Sequence, residues 1–471
     1  MSFNRPSDDA EPLHVVLFPF MSKGHTIPIL HLAHLLLRRR LAVTIFTTPA
    51  NRPFIVQFLS NSSASIVTLP FPQNVPRHDD IPAGTESTDK LPSMSLFHSF
   101  ALSTRFMQPD FERALETLPR VSFMVSDWFL WWTAEPASRF NIPRFIFSGM
   151  CYYATTVARA VKMDRLLSGP QSDDELVTVT TFPWVKVTKN DFERQFREPI
   201  GLELEFTMKV TMLSATNCHG IIVNSFYELE PVFADYSNLN CSPKSWSVGP
   251  LCLAELPKAQ PEPDKKPTWV QWLDEKLDQG KPVLYVAFGS QVEISPAQLK
   301  EIEIGLEESK VNFLWVIRKI KSEIFSDGFE ERVKDRGIVV RDWVDQKEIL
   351  MHECVQGFLS HCGWNSVLES ICAGVPILAW PMMAEQHLNA RMVTEEIKAG
   401  LRVETCDGSA RGFVKSEGLE KTVRQLMEGE MGKGVRKEVK ELAETAKKAV
   451  EEGGSSWRTL DLLIDEITCM Q

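Results

Sequence analysis

The sequence lacks the features that would place the chain in a membrane, on nucleic acid or in an oxidising compartment. No apolar run reaches the ~18 residues that a membrane-spanning helix needs. The formal net charge is −11, which argues against nucleic acid or an anionic membrane as the main partner. The nine cysteines are odd in number and irregularly spaced, as expected of free thiols. We therefore expect a cytoplasmic protein without membrane insertion and without a nucleic-acid partner.

A second absence concerns dinucleotide binding. The segment after the first predicted strand, Met21–His25, has no Gly-x-Gly-x-x-Gly turn. A nicotinamide-dependent oxidoreductase built on parallel sheets would need such a turn there. This absence argues against that class of enzyme.

The length and the order of predicted elements indicate two domains. A chain of 471 residues is too long for one ordinary core. Both halves alternate strands with helices, which predicts an α/β fold with parallel, doubly wound sheets. The one break in composition is a segment rich in Pro, Lys and acidic residues, at 254–267. We therefore predict an acceptor-side domain, a linker, a second domain and a C-terminal helix that packs back on the first domain, at 1–250, 251–268, 269–452 and 453–471.

Two polar residues follow predicted strands of the first domain. His25 comes after the strand His14–Pro19, with Pro28 predicted in the first turn of the next helix. Asp127 follows the strand Phe123–Ser126. A structural histidine and a helix N-cap are the plain alternatives. If the two face each other, the carboxylate fixes the imidazole tautomer and makes His25 a general base.

The segment 343–386 contains two strand–turn–helix units side by side. Residues 357–360 and 375–380 are strand-like, and a polar helix start follows each. Such turns present free backbone N–H groups to phosphate. A metal site at the nearby His and Cys residues is disfavoured because their spacing fits no usual ligand frame. A plain α/β segment would leave one polar cluster unexplained, which consists of Asn365, Ser366, Glu369, Glu385 and Gln386.

Nucleotide-sugar binding explains that cluster best. A carboxylate beside an amide suits a neutral sugar, because vicinal hydroxyls need both acceptors and donors. Ser290, after the turn glycine Gly289, is either a phosphate ligand or an N-cap. The other assignments are Trp343 for the base, Gln346 and Glu369 for the ribose, His361, Asn365 and Ser366 for the diphosphate, and Glu385 and Gln386 for the sugar.

These motifs resemble the signature box of the plant family 1 UDP-glycosyltransferases. W-x-x-Q, H-x-G-W-N-S-x-x-E and P-x-x-x-E-Q all stand in register within 343–386, and Gly24-His25-x-x-Pro28 matches near the N-terminus. The resemblance covers nearly the whole chain. It implies the GT-B fold, in which two Rossmann-like doubly wound domains face each other across a cleft. It also implies inversion at the anomeric carbon without a metal or another cofactor, in line with the absence of an Asp-x-Asp motif.

The resemblance assigns roles to residues of this sequence. It implies His25 as the catalytic base and Asp127 as its orienting carboxylate. We expect acceptor contacts from Gly24, Met94, Tyr152 and Phe192. Val344-Asp345 stand where Ala-Pro is usual, which we expect to loosen that turn. The implied donor-binding residues are Ser290, Trp343, Val344, Gln346, His361, Gly363, Trp364, Asn365, Ser366, Glu369, Glu385 and Gln386.

The expected function is transfer of glucose from UDP-glucose to a hydroxyl of a small phenolic, flavonoid-like plant metabolite by a monomeric enzyme. Gln386 favours glucose but does not exclude xylose, galactose or rhamnose. Transfer to carbon, nitrogen or sulfur stays open, because the acceptor loops (71–100 and 150–210) carry no recognisable pattern. A non-catalytic nucleotide-sugar-binding protein is the alternative from another class.

Overall fold

The computed structural model of the protein describes residues 12–73, 81–213, 217–254, 266–289, 291–317 and 328–470. We call 12–254 the first half and 266–470 the second half. Each half contains one large, wholly parallel sheet. Parallel strands need crossover connections, and helices provide them here.

The first sheet places two strand ends beside each other at its switch point. Its seven strands lie in the order β3-β2-β1-β4-β5-β8-β9, while β6 and β7 form a separate antiparallel hairpin. The direction of winding reverses between β1 and β4, so the carboxyl ends of these two strands border a crevice. The described strands of this half are β1 His14–Phe18, β2 Ala42–Thr47, β3 Ser65–Thr68, β4 Phe123–Asp127, β5 Arg144–Ser148, β6 Val177–Val179, β7 Phe182–Val187, β8 Gly220–Val223 and β9 Ser245–Ser247.

The first helix begins earlier than predicted. It starts at Lys23, so Pro28 is its sixth residue and lies in the second turn, and the prediction of a first-turn proline was wrong. The N-cap Ser22 makes no side-chain capping bond that would mark this start. The described helices of this half are α1 Lys23–Arg38, α2 Arg52–Phe58, α3 Phe97–Ser103, α4 Gln108–Thr117, α5 Ala134–Arg139, α6 Tyr152–Met163, α7 Arg194–Arg197, α8 Gly201–Met208 and α9 Pro231–Asn240.

The second sheet repeats this arrangement with six strands. Their order is β12-β11-β10-β13-β14-β15, and winding reverses between β10 and β13. The described strands are β10 Val283–Ala287, β11 Asn312–Val316, β12 Gly337–Val340, β13 Val355–Ser360, β14 Ile377–Ala379 and β15 Gly400–Arg402. The described helices are α10 Thr268–Asp278, α11 Pro296–Ser309, α12 Phe329–Val333, α13 Gln346–Leu350, α14 Trp364–Ala373, α15 Gln386–Arg391, α16 Ser416–Met427, α17 Glu430–Val450 and α18 Ser455–Cys469.

The last helix returns to the first half. Leu460, Leu463 and Ile467 of α18 are buried in one cluster with residues of α1 and the first sheet. Arg39 adds an ion pair, with its Nε 2.6 Å from Asp461 Oδ1. The predicted domain limits stay a prediction, and residues 255–265 of the predicted linker lie outside the described residues.

A shared hydrophobic cluster joins the two halves. Tyr153 and Phe233 of the first half belong to the same buried cluster as Trp364, Val367 and Ile371 of the second. Residues after β13 also form hydrogen bonds with residues after β1 and β8, so the carboxyl edges of the two sheets lie towards each other. None of the helices within the described residues combines the length and apolar content that a bilayer-spanning segment needs.

Candidate active site

His25 and Asp127 form a hydrogen-bonded pair at the switch point of the first sheet. His25 lies in the first turn of α1, and Asp127 ends β4. Nδ1 of His25 lies 2.8 Å from Oδ2 of Asp127, and the other carboxylate oxygen accepts the backbone N–H of Phe129 at 2.9 Å. Asp127 is buried, whereas the His25 side chain is 27% exposed. With Nδ1 directed to Asp127, Nε2 is left to accept a proton from a substrate.

The surroundings of His25 favour its protonated form. Burial lowers the pKa of His25, but the charge and hydrogen bond of Asp127 and the charge of Glu385 raise it, and the net pKa lies above 6.5. Burial raises the pKa of Glu385, while the charge of His25 lowers it. Glu385 belongs to the second half, so the structure brings the predicted base and a predicted sugar ligand together across the cleft.

Four phenylalanines make an apolar wall beside the His25 ring. The ring centroids of Phe129 and Phe20 lie 4.9 Å and 5.4 Å from that of His25. Phe97 and Phe206 pack edge-on against Phe129 at 5.8 Å and 5.3 Å. Sequence reasoning missed this wall. Phe20 and Phe129 each stand two residues beyond a strand end, which was the available signal.

The predicted acceptor contacts lie in different environments. Gly24 is exposed beside His25, and Met94 is partly exposed at the start of a short 3-10 turn. Tyr152 is 2% exposed, and its hydroxyl accepts a hydrogen bond from Ser247. Phe192 is 4% exposed and belongs to the same buried hydrophobic cluster as Tyr152. Burial therefore argues against acceptor contacts by Tyr152 and Phe192.

The imidazole of His361 occupies the space beside two glycines. A Cβ atom at Gly289 would lie 2.9 Å from His361 Nε2, and one at Gly363 would lie 2.6 Å from it. Both distances are too short for an ordinary contact, so these positions need glycine while His361 keeps its place. Gly289 also has φ +78°, a conformation that favours glycine. Ser290, the predicted phosphate ligand that follows, lies outside the described residues.

His361 is electrically neutral in this position. Burial lowers the pKa of His361 to about 4, although a hydrogen bond with the Ala287 backbone raises it. Its Nδ1 is buried and has no hydrogen-bond partner among the described residues. A buried nitrogen without a partner is costly. A neutral ring carries one N–H, and the bond to the Ala287 backbone uses it, so Nδ1 is left as an acceptor.

The start of α14 contacts both the first half and the predicted ribose site. Gly363 is the N-cap, and the indole N–H of Trp364 donates to the Asn224 carbonyl at 2.7 Å. Trp364 is 2% exposed, so its side chain is not available to a sugar. Asn365 Nδ2 donates to the Gly24 carbonyl at 2.6 Å. The helix start still offers free backbone N–H groups to an anion.

Gln346 and Glu369 lie together as predicted for a ribose site. Nε2 of Gln346 donates to Glu369 Oε2 at 2.7 Å and to Ser366 Oγ at 2.8 Å. Its Oε1 accepts a hydrogen bond from Tyr285 at 3.2 Å. Trp343 is 61% exposed, which leaves its flat face open to a base. This side of the site therefore presents carboxylate, amide and aromatic groups to a nucleoside.

The departure from the family pattern at 344–345 has a local explanation. Val344 is 3% exposed and packs in the core of the second half. Asp345 is the N-cap of α13, and its Oδ1 accepts the N–H of Glu348 at 3.4 Å. A buried valine and a capping aspartate thus order the turn that the missing proline was expected to loosen.

Gln386 is fixed by the loop before it. Its Oε1 accepts the backbone N–H groups of Met382 at 3.1 Å and Met383 at 3.0 Å. The amide NH2 group of Gln386 has no hydrogen-bond partner within the described residues. Among the described residues, no three His, Cys, Asp or Glu side chains are grouped closely enough to hold a metal ion.

Comparison with known proteins places this geometry in context. Residues 259–442 match the family model for UDP-glucoronosyl and UDP-glucosyl transferase. UDP-glycosyltransferase 90A1 of Arabidopsis thaliana is 56% identical over 466 residues, 96% of each chain. UDP-glucose flavonoid 3-O-glucosyltransferase 7 of Fragaria ananassa is 33% identical, over 97% of this chain and 96% of that protein.

A solved structure supports the same relationship at the level of the fold. UGT73P12 of Glycyrrhiza uralensis, complexed with glycyrrhetinic acid 3-O-monoglucuronide, gives a TM-score of 0.86 at 31% identity, over 98% of this chain and 96% of that chain. The predicted GT-B fold is therefore confirmed.

Proposed function

Because the chain belongs to the plant family 1 UDP-glycosyltransferases, we propose that it transfers glucose from UDP-glucose to a hydroxyl of a small phenolic, flavonoid-like acceptor. The family membership makes it a UDP-sugar-dependent transferase that glycosylates small molecules. The choice of sugar, the acceptor class and the mechanism are our proposals. We also propose that it works as a cytoplasmic monomer.

The observation that carries the mechanism is the hydrogen bond between His25 Nδ1 and Asp127 Oδ2. His25 Nε2 takes the proton of the acceptor hydroxyl as its oxygen attacks C1 of glucose. The bond from C1 to the diphosphate oxygen breaks, and UDP leaves with the electron pair. Attack from the face opposite UDP inverts C1. The negative charge of Asp127 stabilises the imidazolium that forms.

In this mechanism, hydrogen-bond donors of the protein replace a metal ion at the diphosphate. The N-terminus of α14 directs backbone N–H groups and the positive end of the helix dipole to one point. His361, whose neutral ring packs against Gly289 and Gly363 before this helix, is the side chain that we assign to the same diphosphate. Such preorganised donors stabilise the charge that develops on a leaving group. We therefore propose transfer without a metal ion or another cofactor.

The sugar and nucleoside contacts follow from the second half. Trp343 stacks on the uracil, and Gln346 with Glu369 binds the ribose hydroxyls. Glu385 accepts from sugar hydroxyls, and Gln386 donates to them. A carboxylate facing the sugar suits a neutral hexose, because a uronic carboxylate would meet like charge.

The acceptor side is apolar and aromatic. Of the four phenylalanines beside His25, Phe97 and Phe129 are half-buried and offer ring surface on which a planar aromatic acceptor can pack. The name of the Fragaria ananassa relative gives flavonoid O-glucosylation for that protein. Both observations support a phenolic hydroxyl as the acceptor group.

A direct test uses purified protein with UDP-glucose and a panel of flavonoids, simple phenols, terpenols and hormones. We expect acceptor-dependent UDP release, a product heavier by one hexose in mass spectrometry, and a β-linkage by NMR from the α-linked donor. Turnover should persist in excess EDTA, and acid should cleave the product bond. Release confined to terpenols would contradict the phenolic acceptor, and an α-linkage would contradict inversion. An acid-stable product bond would indicate C-transfer instead.

A further inference from the structure

Pro28 changes the hydrogen-bond pattern of the helix that carries the base. Because α1 begins at Lys23, the carbonyl of Gly24 would normally accept the backbone N–H of residue 28. Proline has no backbone N–H, so this bond cannot form. The carbonyl that loses its helical partner belongs to the residue directly before His25.

Asn365 of the second half supplies a donor to that carbonyl. Its Nδ2 lies 2.6 Å from the Gly24 oxygen. Its Oδ1 accepts from Nδ2 of Asn224, directly after β8, at 3.4 Å. Turning the amide over would set oxygen against the Gly24 carbonyl and NH2 against NH2, so the two contacts fix its orientation. Asn365 is thus bonded to the first half through both ends of its amide.

The same asparagine is the second residue of α14, the helix start proposed to face the diphosphate. The contact therefore joins the donor site directly to the residue before the base. We propose that Asn365 is a positioning residue that holds the start of α1, and with it His25, in register with the bound donor. This inference rests on the proposed role of His25 as the base. A shift of about 1 Å in a reacting group can cost on the order of a hundredfold in rate.

A double-mutant cycle separates this role from a contact between Asn365 and the diphosphate. Pro28→Ala restores an N–H at residue 28, which can close the helical bond to Gly24 and so compete with Asn365. The diphosphate contact is the same in both backgrounds. We measure the fold-loss of kcat caused by Asn365→Ala at saturating UDP-glucose in both backgrounds. We expect this loss to be roughly threefold smaller in the Pro28→Ala background than in the wild type, because one hydrogen bond contributes about that much.

Ile27→Ala is the matched control, because it alters the neighbouring residue and keeps Pro28. The loss caused by Asn365→Ala should be unchanged in that background. Pro28→Ala favours helix and is expected to fold. Equal losses in the wild-type and Pro28→Ala backgrounds would overturn the inference.

A second measurement distinguishes positioning of the base from a merely structural contact. A weakly acidic hydroxyl depends on the base more than an acidic phenol does. Asn365→Ala should therefore cost more turnover with the weakly acidic acceptor, and an equal loss on both acceptors contradicts positioning. Absence of any transfer by the wild type would instead refute the proposed function. In that case, the same cycle measured as Tm without substrate still reports whether Asn365 and Pro28 are coupled.

Discussion

The carboxylate of Glu385 raises the pKa of His25, although the two residues lie in different halves of the molecule. Glu385 is the N-cap residue of α15 in the second half, and His25 lies in the first turn of α1. A residue that we propose binds the sugar therefore also affects the protonation of the proposed base. A change of charge at Glu385 is expected to alter the protonation of His25.

Replacing His25 by Ala should abolish transfer to weakly acidic hydroxyls. General base catalysis contributes roughly 10²–10⁴-fold, so kcat should fall by a factor in that range. UDP binding, measured by calorimetry, should be unchanged, because the proposed UDP ligands lie in the second half. An acidic phenol is the control acceptor and should lose less. Near-normal turnover of an aliphatic hydroxyl by His25→Ala would falsify the base assignment.

The pH profile should show an acid limb set by His25. The base acts only when neutral, and its pKa in the folded protein lies above 6.5. Activity should therefore rise with pH through an apparent pKa above 6.5 in kcat/KM for the acceptor. Asp127→Asn removes the charge that raises this pKa most, so the limb should move to lower pH while the maximal rate falls. A limb that stays in place would show that another group titrates.

Glu385→Gln should shift the same limb in the same direction, by less than Asp127→Asn does, because its charge is the smaller of the two effects on His25. It should also raise KM for UDP-glucose, since the amide replaces an acceptor of sugar hydroxyl hydrogen bonds. Glu396→Gln is the control for the loss of one negative charge. Glu396 lies in the segment after α15, and its carboxylate accepts a hydrogen bond from Trp184. A limb that moves equally in both variants would point to net charge rather than to Glu385.

Gly289→Ala should weaken donor binding through His361. The new Cβ would lie 2.9 Å from His361 Nε2, so the imidazole must move. We expect KM for UDP-glucose to rise several-fold. Gly280→Ala is the matched control, because Gly280 also has positive φ but no atom lies within 4 Å of a Cβ built there. Both variants should lose about 1 kcal/mol of stability from backbone strain, but only Gly289→Ala should change KM.

The sequence predicted the polar site better than the apolar one, for a physical reason. Parallel strands bring their carboxyl ends to one edge, so His25 and Asp127 could be paired from their positions alone. Gln346 and Glu369 could be grouped because both belong to the motif-rich segment 343–386, although two different helices, α13 and α14, carry them. The wall around Phe206 depends on how a distant helix packs against α3, and no local pattern encodes that.

Two further differences show where local patterns are insufficient. Pro28 normally marks a first helical turn, but here the helix begins five residues before it, and Asn365 bonds the carbonyl that the proline leaves. Aromatic residues between strands were predicted to line the acceptor pocket, but Tyr152 and Phe192 are core. Composition alone does not separate a pocket aromatic from a buried one.

Acceptor binding should therefore depend on Phe97, a half-buried ring of the wall, and not on the buried Phe192. Phe97→Leu removes an aromatic edge from the wall beside His25 while keeping an apolar side chain. We expect KM for a flavonoid acceptor to rise several-fold, since an aromatic pair contributes roughly 0.5–1.5 kcal/mol beyond its buried area, with KM for UDP-glucose unchanged. Phe192→Leu, at a ring stacked on Phe196, should lower Tm and leave both KM values near wild type. If Phe192→Leu raised the acceptor KM instead, the predicted contact at Phe192 would be restored and the pocket would lie closer to α7 than the phenylalanine wall implies.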